Sequence, residues 1–117
     1  MKNSQKNLMV RIKERSFVAR IAARKLKSDN AAIVIGNTIH LYNASCREFL
    51  MDKAWLCHEL KHIQQFKQHG FLRFIFLYLW ESILHGYANN KYEMEARAAE
   101  KDDHLIANMT FLDKKYN

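Results

Sequence analysis

Apolar and polar positions along this chain change period from one stretch to the next, and each change marks an element. Between positions 2 and 27, Leu8, Val10, Ile12, Phe17, Val18, Ile21 and Ala22 interleave with Lys6, Arg11, Lys13, Arg15, Arg20, Arg24, Lys25 and Lys27, opposed only by Glu14. Read at helical period, this predicts a basic amphipathic helix over residues 1–28. Residues 32–42 are β-branched and alternating, with Gly36-Asn37 between two short runs, which predicts a small hairpin. After a turn at Asn43-Ala44, Ser45 and Glu48 make a capping box before a long run free of Gly and Pro. One helix is expected over residues 46–69, with Gly70 as its terminator and Lys61, Lys67 and His69 near its C-terminal end.

On that helix Met51, Trp55, His58, His62 and Phe66 share a stripe flanked by Leu56, Leu60 and Ile63, with Lys53, Lys61, Lys67 and Gln68 turned outward. The histidines therefore face inward. The stretch reads His58-Glu59-Leu60-Lys61-His62. Residues four apart on a helix lie one above the other, so both imidazoles can reach one ion, while Glu59 projects about 100° away as a base. An imidazole on an apolar stripe is more often a hydrogen-bonded core residue than a ligand; two at this spacing with a Glu between them point to zinc.

A catalytic zinc site takes three protein ligands and keeps a fourth position open. The third is sought in residues 89–100, which begin with Asn89-Asn90 and continue as an alanine-rich, helix-prone stretch. Tyr92, Ala96 and Ala99 make a narrow face that lets this helix approach the histidines closely, and Glu93 and Glu95 flank that face on opposite sides. Periodicity does not choose between them.

With Gln64-Gln65 after the histidine pair and Tyr92-Glu93-Met94-Glu95-Ala96 downstream, residues 31–103 resemble the paired motifs of gluzincin-type metallopeptidases. The resemblance implies a zincin-like fold, zinc as cofactor, His58, His62 and Glu93 as metal ligands with Glu95 as the alternative third, and Glu59 as general base. It also implies an acid four residues after Glu93 that orients a histidine; this chain has Arg97 there, leaving Glu100 or Asp103 for that task. In such proteins a sheet edge beside the active-site helix pairs with extended substrate, a role open here to the hairpin. Tyr87, His85, Tyr92 and His104 are the available transition-state donors near the second motif, unranked by the sequence.

Length and composition suit one small domain. The 117 residues are 49% hydrophobic and 26% charged, without Pro and with three Gly, enough for a single core with no linker dividing it. Most of the chain is expected to be helix. Cys46 and Cys57, eleven apart on one predicted helix, would sit about 16 Å apart by helical rise and cannot pair. Thiols that cannot bridge to each other and the lack of an apolar leader after Met1 favour a cytoplasmic protein.

Residues 71–84 are hydrophobic nearly all round but broken by Arg73 and Glu81, too short for the roughly 20 residues of a bilayer span. The reading is a core or self-associating helix, with contact at a membrane surface as the alternative. A net charge of +7 and the basic first segment do not make a nucleic-acid module, since no zinc-finger spacing, RNA-binding signature or helix-turn-helix pattern accompanies them. The expectation is thus a mostly helical α+β domain, with a hairpin beside the long helix and a glutamate-bearing helix downstream. Its expected work is zinc-dependent hydrolysis of peptide or protein substrates. The competing expectation is a non-catalytic module that zinc braces and that binds a protein or membrane-surface partner.

Overall fold

The computed structural model describes residues 8–112. Leu8, Val10 and Ile12 are buried and Met9, Arg11 and Lys13 exposed, the period of two that belongs to strand β1 (Leu8–Lys13). Arg15 then takes a positive φ of 54°, and Ser16 accepts from the Ala19 backbone N–H to cap α1 (Phe17–Leu26). The helix expected over 1–28 is therefore a strand and a shorter helix, with residues 1–7 outside the described part. Alternation at 8–12 wins over helical period because β1 finds two strands to pair with.

Strands β2 (Ala31–Ile35) and β3 (Thr38–Tyr42) form the expected antiparallel hairpin, registered from Ala31↔Tyr42 to Ile35↔Thr38. Gly36 turns it with a φ of 67°, a region open to glycine without strain. Strand β1 lies parallel to β3 on one side and to β4 (Met109–Phe111) on the other, giving a mixed sheet ordered β2-β3-β1-β4. Strand β2 is thus an edge.

The helix expected over 46–69 is divided. The Ser45–Glu48 capping box starts α2 (Cys46–Met51), and Asp52, with extended backbone, ends it and caps α3 (Lys53–His69) by accepting from the Trp55 N–H at 3.1 Å. Met51 is exposed, so the apolar stripe begins at Trp55. Cys46 and Cys57 consequently lie on different helices and the along-helix spacing does not apply; both are buried and neither is in a disulfide. Leu60, Ile39, Leu41, Val10 and Phe49 are fully buried where α3 crosses the sheet, each worth about 1.5–3 kcal/mol relative to exposure.

Helix α4 (Phe71–His85) departs from the core reading: only Phe74 is buried and most of its apolar side chains face out. Asn90 caps α5 (Lys91–Ala98), which continues as a 3₁₀ turn (Ala99–Lys101) and α6 (Asp103–Ala107). Tyr92, Ala96 and Ala99 are buried against α3, so the small-residue face brings the two helices close. The described chain is an α+β domain in which helices outweigh a small sheet. Among the described residues no helix is long and apolar enough to cross a membrane.

Candidate metal centre

His58 and His62 project from one face of α3, their ring centroids 5.1 Å apart. Glu93, in the first turn of α5, faces both: its Oε1 lies 3.1 Å from His58 Nε2 and 3.3 Å from His62 Nε2. One ligand atom from each of the three residues falls within 4.8 Å of the other two, the one such group of His, Cys, Asp and Glu among the described residues. Ligands bound to zinc at about 2.0–2.1 Å in a tetrahedron stand roughly 3.3 Å apart, so the donor set suits the ion in chemistry and the two distances to Glu93 match its spacing.

The outer nitrogens are held as well. His58 Nδ1 donates to Glu100 Oε2 at 2.9 Å, and His62 Nδ1 donates to Gln65 Oε1 at 2.8 Å. Each bond fixes a proton on Nδ1 and aims Nε2 at Glu93. Of the two acids considered in place of one at position 97, Glu100 reaches a histidine, while Asp103 pairs with Lys53 at 2.9 Å on the surface. Arg97 turns away and donates to the Ala88 carbonyl at 2.5 Å. Glu95 accepts from Gln65 Nε2 at 2.9 Å, which sets it one residue removed from the histidines rather than between them.

Two residues with no role assigned from the sequence complete the surroundings. Gln65, only 1% exposed, links His62 to α5 by donating also to the Tyr92 carbonyl at 3.1 Å. Its position three residues after His62, on the same helical face, was a readable signal. Tyr78 of α4 donates to Glu93 Oε2 at 2.5 Å, leaving Oε1 to the imidazoles. Fully buried Asn90 holds Tyr78 in place by donating to its carbonyl at 3.0 Å and to Ser82 Oγ at 2.9 Å. Tyr78 had no motif to mark it.

Electrostatics follow from this enclosure. Burial opposes charge on the His58 ring, but the Glu93, Glu59 and Glu100 carboxylates outweigh it and raise its pKa to about 9. His62 is raised for the same reasons, chiefly through Glu93 against burial. Burial would raise Glu93, yet bonds from His58, His62 and Tyr78 hold it well below the usual carboxylate range. Glu59, almost wholly buried, goes the other way: burial pushes it up to about 7, with His62 and His58 restraining the rise. Burial and the Glu93 charge raise both Tyr78 and Tyr87, the latter to about 12.

His58, Glu59, His62 and Glu93 line one side of a cleft of about 430 Å³ whose other walls are α1, β2 and α4. Ala32, Ile33, Val34 and Ile35 of β2 run along it. Of the four expected donors, Tyr87 lines the cleft; His85 and His104 are exposed outside it, and Tyr92 is buried edge-on against Phe74. Comparison with protein-family models, with curated proteins and with solved structures gave no match.

Proposed function

We propose that this chain is a zinc-dependent hydrolase acting on peptide bonds, with His58, His62 and Glu93 holding the ion and Glu59 as general base. The observation that carries the reading is the meeting of His58 Nε2, His62 Nε2 and Glu93 Oε1, with both Nδ1 atoms tied to acceptors and Glu59 beside them in an open cleft. It agrees with the resemblance of residues 31–103 to gluzincin-type peptidases and their zincin-like fold.

Zinc in such a set supplies Lewis acidity to a carbonyl and lowers the pKa of water toward about 7. The protein's own residues do the rest. Glu59, buried beside the two histidines at the cleft, takes a proton from the attacking water and returns it to the amine nitrogen as the C–N bond breaks. Tyr87, kept protonated at neutral pH, donates from the cleft wall to the oxygen that gains charge at the carbonyl. Strand β2 has no strand paired to its outer side among the described residues, so residues 32–35 offer backbone groups to an extended substrate. Glu100, Gln65 and Tyr78 orient the three ligands.

Glu59→Gln tests the assignment, because it keeps size and leaves every proposed ligand in place. Zinc content and melting temperature should stay near those of the parent while hydrolysis of an unstructured peptide falls by at least about a hundredfold. Wild-type protein fully loaded with zinc that cleaves nothing in a diverse peptide library would refute the enzyme and leave the zinc-braced binding module.

A further inference from the structure

The cleft opens between two helices whose outward faces are apolar. On α4, Leu79 lines the cleft and is half exposed, and the same face continues outward through Leu72 (78% exposed), Ile83 (75%) and Phe76 (66%). On α1, Leu26 lines the opposite wall, while Ile21 and Phe17 are exposed on the outward side, away from buried Ala19 and Ala23. Helical spacing places the charges beside these faces. Arg20, Arg24 and Lys27 follow the side of α1 next to Phe17, Lys25 stands at the cleft, and Arg73 lies next to Trp80 on α4. Helix α1 carries no acid at all. Exposed apolar side chains this close together are unusual on a protein that meets only water.

We infer that this apolar, basic-edged rim around the cleft is a docking surface for an anionic lipid membrane, with α4 and α1 lying in the plane of the interface and the cleft facing the bilayer. Short helices with Phe, Leu and Trp on one side and Arg and Lys at the border settle at the boundary of headgroups and acyl chains. The positive border selects anionic lipid, because each Lys or Arg near such a surface adds attraction that fades within a Debye length. Helix α4 has 15 residues and cannot cross the bilayer, so it lies along the surface. The inference concerns where the chain sits and stands independently of the hydrolase reading. If both hold, the substrate is a peptide segment presented at the membrane surface.

Co-sedimentation of the full chain with vesicles tests it. The parent should bind vesicles of phosphatidylcholine mixed with phosphatidylglycerol at least about tenfold more tightly than phosphatidylcholine alone, and added salt should weaken that binding. Brominated acyl chains should quench its fluorescence, and Trp80→Phe should remove most of the quenching. The double variant Phe76→Asp/Ile83→Asp alters exposed positions outside the cleft, so circular dichroism should be unchanged while vesicle binding is lost. Arg20→Gln/Arg24→Gln should weaken binding about fivefold per residue. Folded parent protein that ignores anionic vesicles overturns the inference, as does undiminished binding by Phe76→Asp/Ile83→Asp. A dimer in sedimentation that this variant dissolves, with no vesicle binding by the parent, would instead assign the face to a second copy of the chain.

Discussion

Gln65→Leu should separate a metal centre from a chance meeting of side chains, because Gln65 touches the histidine from outside. The substitution preserves approximate size but leaves the buried His62 Nδ1–H without its acceptor at 2.8 Å, at a cost of about 1–3 kcal/mol. It also removes the bonds to Tyr92 O and Glu95 Oε1 that tie α3 to α5, each worth roughly 0.5–1.5 kcal/mol or somewhat more for the charged acceptor. Allowing for apolar burial gained by leucine, the net loss is about 2–4 kcal/mol out of a typical total of about 5–15. For a domain of this size, that lowers the melting temperature by about 10 °C. With its tautomer no longer fixed, His62 should bind zinc about 10–100-fold more weakly. Gln65→Glu keeps an acceptor for Nδ1 but sets a second carboxylate against Glu95, so it should lose stability while largely retaining zinc affinity. Competition with a chromophoric chelator reads affinity, and thermal unfolding by circular dichroism reads stability. Zinc binding by Gln65→Leu within about twofold of the parent would refute the argument that an outer hydrogen bond prepares the ligand.

Other outcomes follow from the same geometry. The parent should bind one zinc per chain and melt higher with it, since a ligand of the folded state alone stabilises that state; His58→Ala should abolish both effects in calorimetry and metal analysis. Glu93→Gln should weaken zinc binding markedly and Glu95→Gln only slightly, a ranking that the opposite result in a chelator titration would reverse. Zinc must displace protons from imidazoles raised above their usual 6.5, His58 to about 9, so affinity should climb with pH across that window and flatten above it. Titrations in buffers of different ionisation heats should detect the released protons, and a flat profile would contradict the enclosure described for His58. In the zinc-free chain the sign is opposite: stability contributed by His58 is complete below pH 6.5 and lost as pH rises through about 9, measurable by urea unfolding across that range.

Local chemistry made the hairpin and the histidine pair legible before any coordinates. Gly36-Asn37 between β-branched runs specifies a turn, and a four-residue spacing on a helix specifies one face. The small face of Tyr92, Ala96 and Ala99 likewise pointed α5 toward the histidines. Most of what escaped depended on partners distant in the chain. Leu8, Val10 and Ile12 are a strand because residues 38–40 and 109–111 lie beside them, and the local alternation at 8–12 does not name those partners. Asp52 was hidden in a run without Gly or Pro, although an acid that caps the N–H three residues on is enough to interrupt it. Which of Glu93 and Glu95 stands between the imidazoles depends on how α5 packs on α3, and Tyr78 enters from α4, where Asn90 bonds its carbonyl.

The position of β1 bears on how the chain acquires this structure. Leu8 pairs with Met109 and Val10 with Phe111, so one side of the sheet joins segments about a hundred residues apart. A ribosome that has released α3 and both histidines has not yet released β4, the edge strand beside β1. The β1–β4 pairing must wait for residue 111, and contacts so distant in the chain slow the search. The same pairing puts positions 8 and 111 on neighbouring parallel strands, so a circular permutation that joins them needs a linker long enough to return along the strand before the chain is opened elsewhere.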